Sequence, residues 1–244
     1  MCVILAAHGA GDGSEANRGV VELADSLRRR RPGVRFECAF WKGRPTFRQA
    51  ARSLRGQSAV VVPIMASDGY YARFRLPEEW AKGDPSHSWV IAPPIGTLPT
   101  FSRVLETRVG DALAGMNRRG HDPIVLLVGH GTTRVRFSGD TTRRIRGELA
   151  AAFPRTEIVA SFLDESPHIT EVARSLGDRP VVVAPLLLGG APHVLIDIAK
   201  ALDEPRREKA GWATDAQTIL PSILKWPELA SLVLEALDIV TGPA

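Results

Sequence analysis

The chain has 244 residues, 44% of them hydrophobic, with 31 Lys+Arg against 27 Asp+Glu for a net charge of +4. That length suits one large core or two units of roughly 120 residues. The small basic excess, gathered in runs such as "RRRR" (28–31) and "RRIR" (143–146), suits an acidic small molecule and argues against a nucleic-acid partner, which calls for a domain-wide basic face.

The first apolar run, "MCVILAAHG", has no basic region before it and is too short for a signal peptide, and no later window is long enough to span a membrane. It stops at His8-Gly9. The run "RRRR" falls at a helix C-terminus, where cations suit the dipole. Cys38 follows inside an apolar strand as a small buried hydrophobe; with Cys2 it forms no CxxC or Cys/His cluster, which excludes a disulfide framework or structural zinc and fits a reducing cytoplasmic setting. "MNRRGHDP" (116–123) is a polar linker. Beyond it, "IVLLVGH" is an apolar strand ending at a glycine turn, and "TTRRIRGELAAAFP" is a helix with Ile145 and Leu149 on one face, ended by Pro154. "TEIVASFL" is a strand, "HITEVARSLGD" a helix, "PVVVAPLLLGG" a third strand and "HVLIDIAKALDE" a helix. "WPELASLVLEALDIV" has helical periodicity and is expected to close the second half, or alternatively to support self-association. His87, His121 and His168 lie in polar surroundings and read as surface residues.

Sliding the chain against itself by 122 residues places His8-Gly9 on His130-Gly131, "AFWKGRP" (39–45) on "SFLDESP" (161–167), "ARSL" (51–54) on an identical "ARSL" (173–176), and "VVVP" (60–63) on "VVAP" (182–185). So many landmarks in register argue for duplication of a whole folding unit. Two tandem α/β lobes are expected, 1–117 and 118–244. Strands apolar throughout and separated by helices indicate mostly parallel sheets covered by helices on both faces.

In such sheets ligands bind beyond the carboxyl ends of the strands. His130, Asp164 and His193 follow the three strands of the second lobe and are expected over one sheet edge. Two imidazoles and a carboxylate suit a divalent ion such as cobalt, iron or nickel, and neutral imidazoles accept protons near pH 7. Asp164 could also cap the helix that follows. The same positions in the first lobe read His8, Lys42 and Tyr71, which removes most of the reason for a cation to bind there. Lys42 and Tyr71 could hold a substrate carboxylate or close the space between the lobes. Ala7 and Gly129 stand where an Arg-His-Gly phosphoryl-transfer motif needs arginine, and the glycines at 189–190 lack the Lys-Ser/Thr of a P-loop.

A strand ending in His-Gly, the segment "FLDESP" and above all "PLLLGGAPHVLIDI" resemble the class II chelatases, the sirohydrochlorin cobaltochelatase and ferrochelatase family. The resemblance implies two chelatase-like lobes facing one another across a cleft, and insertion of Co(II) or Fe(II) into a tetrapyrrole without ATP or an organic cofactor. It carries the two family histidines to His130 and His193 and the acid to Asp164, as metal-holding and proton-accepting residues. The family acid is usually glutamate, so Asp164 is one methylene shorter. Duplicated relatives often keep the intact set in the N-terminal lobe, whereas here it is C-terminal. The many carboxylates of a sirohydrochlorin-type macrocycle would favour Arg134, Arg136, Arg143 and Arg144, although the run 143–146 also reads as a solvated helix face. His8, Lys42 and Tyr71 would complete the substrate contacts. The expected partners are the anionic tetrapyrrole and the metal ion, with no membrane. A monomer is expected because both lobes lie in one chain. The competing reading is a non-catalytic tetrapyrrole or metal carrier derived from a chelatase.

Overall fold

The computed structural model describes residues 1–116, 121–133, 135, 139–177, 179–188, 192–207 and 217–242, with the backbone alone for 192–194 and 205–207. Two four-stranded parallel sheets form, each inside its own compact unit. The first sheet contains β1 (Cys2–Ala7), β2 (Arg35–Phe40), β3 (Ala59–Ile64) and β4 (Trp89–Ile91) in the order β2-β1-β3-β4. The second contains β5 (Ile124–Gly129), β6 (Glu157–Phe162), β7 (Val181–Pro185) and β8 (Gln217–Ile219) in the order β6-β5-β7-β8.

The register repeats at the offset found in the sequence. Cys2 stands opposite Arg35 and Ala59, and Ile124 opposite Glu157 and Val181. The cis peptides Arg44–Pro45 and Ser166–Pro167 also fall at matched positions. The match ends at the fourth strands, where Trp89 pairs with Ala59 but Gln217 pairs with Val181. These three-residue strands carry too short an apolar pattern to be legible as strands in the sequence. The central strands β1 and β5 are buried at every position, which is why they are apolar without alternation.

The helices follow from caps and apolar spacing. Ser14 accepts from Asn17 N and starts α1 (Glu15–Arg30), whose Val20, Leu23, Ala24 and Leu27 are buried; Arg28, Arg29 and Arg30 occupy its last turn as expected. A Thr46/Gln49 capping box opens α2 (Phe47–Ser53). Its counterpart opens α6 (Ile169–Ser175): His168 Nδ1 accepts from Thr170 N at 3.4 Å, and Glu171 returns a carboxylate to His168 N at 3.0 Å. His168, expected as a surface residue, is therefore the cap, and Asp164 is not. In the second unit one face of the sheet, with Leu126, Val128, Val181 and Val183, packs with Ile169, Val172 and Leu176 of α6 and with Ile198 and Leu202 of α7 (Pro192–Arg207). Among the described residues no helix is long and apolar enough to cross a membrane.

The units do not divide between residues 117 and 118. One comprises Met1–Leu98 with Leu224–Ala244, the other Pro99–Ile223. α4 (Pro99–Gly115) buries Phe101, Leu105, Val109 and Leu113 and packs on β7 and on α5 (Asp140–Ala152). The last helix, α8 (Leu229–Thr241), expected to close the second half, returns to the first, where it packs on β3 and α1 with Leu232, Val233 and Ala236 buried. An amphipathic stripe requires that a helix be covered, but does not name the sheet that covers it.

Both cysteines are internal to the first unit. Cys2 is 5% exposed and accepts from Arg35 Nε at 3.3 Å, while Cys38 Sγ faces Val20 O at 3.6 Å. Burial raises both thiols, that of Cys38 to about 11. Burial thus disfavours both thiolates, and neither thiol should react with iodoacetamide at pH 8 until the chain is unfolded, as checked by mass spectrometry.

Leu232→Ala should lower stability by about 2–5 kcal/mol in urea titrations followed by circular dichroism. A fragment ending at residue 117 should not fold, because it lacks α8; joining 224–244 to 1–98 should restore cooperative unfolding.

Candidate functional site

In the second unit, β5 runs into His130-Gly131 at the carboxyl edge of the sheet. Gly131 has φ of 69°, and a Cβ there would lie 2.5 Å from Glu165 Cβ, so only glycine lets the loop after β5 approach the loop after β6. Main-chain bonds join these loops: Leu163 N and Asp164 N donate to His130 O at 3.2 and 2.9 Å. Their consequence is that His130 Nδ1 lies 3.2 Å from Asp164 Oδ2.

The two side chains are 69% and 61% exposed, and a pair so open to water contributes at most about 1 kcal/mol to stability. It does not hold the fold together. Nδ1 also faces Gly131 O at 3.3 Å, so both neighbours are acceptors. A proton on Nδ1 satisfies both, and in that neutral tautomer the lone pair falls on Nε2. An imidazole oriented by a carboxylate on one nitrogen, with the other nitrogen open, suits a divalent cation or a proton.

The next residue, Glu165, is differently placed. Its carboxylate pairs with Arg143, accepts from Thr132 N at 3.3 Å, and is only 15% exposed. Of two adjacent acids, Asp164 is the open one. Arg143, expected to meet substrate carboxylates, is committed to Glu165, lies 5.0 Å over the Phe162 ring and reaches Asp140 at 3.4 Å. Arg144 likewise pairs with Glu148, its i+4 neighbour, and Arg146 donates to Ile158 O at 3.0 Å. The basic run is thus largely internal to the unit, because partners stand within one turn or across the loop. Arg134 and Arg136 lie outside the described residues. His193 is the second residue of α7, and its side chain lies outside them too. Among the described residues no three His, Cys, Asp or Glu side chains gather to hold a metal ion. The structure therefore brings His130 and Asp164 together.

The first unit repeats the loop geometry with other side chains. Trp41 N donates to Ala7 O at 3.0 Å and Lys42 N to His8 O at 2.7 Å. His8 is half-buried, its Nδ1 2.9 Å from Gly9 O, and Lys42 is exposed. Tyr71 begins a π-helical turn (Tyr71–Arg75) that leads into α3 (Leu76–Gly83); such turns recur at functional sites. Its ring meets the His8 ring edge-on at 4.6 Å, Tyr70 at 5.5 Å and Trp41 at 5.6 Å. Arg75 lies 4.6 Å over Trp41, and Phe74, next to Tyr70, is 48% exposed. His8 and Tyr71 are thus in contact. Trp41, Tyr70, Phe74 and Arg75, which the sequence pattern does not single out, join this cluster. One signal was available, since both tyrosines of the chain are here, four residues or fewer from Phe74.

Known proteins share this architecture. CbiX, the terminal enzyme for biosynthesis of siroheme in denitrifying bacteria, has a structure similar to this chain with a TM-score of 0.76 at 24% identity, covering 99% of this chain and 100% of that one. SirB from Bacillus subtilis with Fe3+ gives a TM-score of 0.74 at 18% identity, covering 99% of this chain and 95% of that one. A probable sirohydrochlorin cobaltochelatase of Halobacterium salinarum is 28% identical over 214 residues, 77% of this chain and 73% of that protein. The CbiX family model matches residues 2–112 and 124–236, so that it spans both sheets and both His-Gly loops, and the chain belongs to the CbiX family.

Proposed function

We propose that this chain inserts a divalent metal ion, cobalt or iron, into a sirohydrochlorin-type tetrapyrrole without ATP. The observation that carries the reading is the exposed His130–Asp164 pair, with Nδ1 held by a carboxylate and Nε2 open. Membership of the CbiX family and the name of the Halobacterium relative support the same chemistry.

Insertion forms metal–nitrogen bonds while two pyrrole N–H protons leave, so the site must first accept a cation and then accept protons. His130 Nε2 does the first as a neutral ligand and the second as a base. Asp164 orients the ring and adds negative charge beside the incoming ion. His193 supplies the second imidazole in this reading. The repeat supports it, because the counterparts of positions 130 and 193 are His8 and Tyr71, whose rings are 4.6 Å apart. In the first unit, His8, Tyr71 and Lys42 hold the macrocycle, the aromatic rings against its flat surface and the ammonium against a peripheral carboxylate. Arg134 and Arg136 take further carboxylates. We read the chain as a monomer that works in the reducing cytoplasm, which suits two free thiols and two lobes in one chain.

With sirohydrochlorin and Co2+ followed by absorbance, His130→Ala and His193→Ala should each slow insertion by about 10²–10⁴-fold. Asp164→Asn keeps a hydrogen-bond partner for Nδ1 but removes the charge, and should cost about 10–100-fold. Unchanged rates in folded variants would overturn the assignment. Lys42→Ala should raise KM for the macrocycle with little change in kcat, since its contact is made equally in ground and transition states.

A further inference from the structure

The chemistry proposed above needs His130 and Asp164 held in place by something other than their own weak attraction. In the first unit the matching loops are tied by Asn17, which is 7% exposed. Its Oδ1 accepts from Ala10 N at 3.0 Å, and its Nδ2 donates to Gly11 O at 3.0 Å and to Lys42 O at 3.3 Å. Room for this side chain comes from Gly43, where a Cβ would overlap the Asn17 amide.

At the same offset of 122 residues, Asn17 becomes Gly139, Gly43 becomes Glu165, Ala10 becomes Thr132 and Val21 becomes Arg143. The bulk has changed sides. Glu165 now reaches from the β6–α6 loop to accept from Thr132 N, the counterpart of the amide that Asn17 holds. A Cβ on Gly139 would lie 2.7 Å from Glu165 Oε1 and 2.6 Å from Arg143 Nη1, so a side chain there would displace the head groups that now occupy this side of the contact. Arg143 neutralises the carboxylate that the exchange introduced, where the first unit has the uncharged Val21.

We infer that Glu165 and Arg143 are positioning residues for the His130–Asp164 pair, replacing by a charged clasp the neutral one that Asn17 and Gly43 make in the first unit. Glu165 follows Asp164 directly, and Thr132 is two residues from His130, so releasing the clasp frees both loops that carry the pair. Asp140 shares Arg143 at 3.4 Å and steadies it at the start of α5. The role of the pair rests on the proposed function; the clasp itself does not.

The test uses the full-length chain, first without metal. In Glu165→Ala, hydrogen exchange at the Thr132 amide should speed up about tenfold or more while β5 keeps its protection. Affinity for Co2+ alone, measured by calorimetry, should fall about 10–100-fold. The double variant Gly139→Asn/Glu165→Gly rebuilds the neutral clasp, since residue 139 has right-handed φ and ψ of −81° and −9° that asparagine accepts. It should restore protection at Thr132 and most of the Co2+ affinity, whereas Glu165→Gly alone should not. Glu165→Gln, which keeps an acceptor for Thr132 N, should retain the protection.

The inference is overturned if Glu165→Ala leaves exchange at Thr132 unchanged, if β5 loses protection with it, or if the double variant is no better than Glu165→Gly. A parent chain that binds no Co2+ would instead sink the chelatase reading and leave the exchange result standing.

Discussion

The bond from the amide of Asp164 to the carbonyl of His130, 2.9 Å long and repeated at 2.7 Å between Lys42 and His8, is the contact on which each sheet edge depends. It continues the ladder between the first two strands of a unit one step past the end of the sheet. A parallel sheet points all its strands the same way, so residues far apart in sequence leave it at one edge. The extra bond keeps two of those exits from diverging. Only a glycine after each histidine permits it, because Gly9 and Gly131 have φ of 70° and 69° and lie against the neighbouring loop.

On that common frame the two units carry opposite chemistry. The second presents an imidazole and a carboxylate that add little to stability and remain open to water, the condition in which they can take a cation. The first keeps the imidazole as His8, has Lys42 in place of the carboxylate, and gathers rings beside them, so that His8 meets Tyr71 and Trp41 lies beneath Arg75. Duplication of a unit leaves one copy free to change. Here the two copies differ in that one sets an imidazole beside a carboxylate and the other sets an imidazole among aromatic rings and basic side chains.

Charge placement follows the same logic. Five of the basic groups at or near the two edges are paired within their own unit: Arg143 with Glu165, Arg144 with Glu148, Arg73 with Asp68, Arg75 with Glu78 and Arg44 with Asp12. Lys42 is exposed and, among the described residues, makes no ion pair. A basic residue close to a site is therefore not by that fact a substrate contact; what its head group already holds decides the matter.

Much of this was legible in the amino-acid order. The duplication, the parallel α/β class, the His-Gly loops and the closeness of positions 130 and 164 all follow from local apolar runs, glycine placement and the polarity of parallel strands, which a linear pattern encodes directly. Other features were settled by tertiary structure. The exchange of α4 and α8 between the halves depends on which distant surface covers an apolar stripe, and a stripe does not name its partner. Whether Asp164 or Glu165 stays open depends on Arg143 reaching across from α5, a contact between residues 22 apart that no local spacing announces. The short fourth strands and the cap at His168 likewise come from pairing and turn geometry. Composition and periodicity decide what each segment must bury; only the folded chain decides what it is buried against, because that choice is made by the whole set of surfaces competing at once.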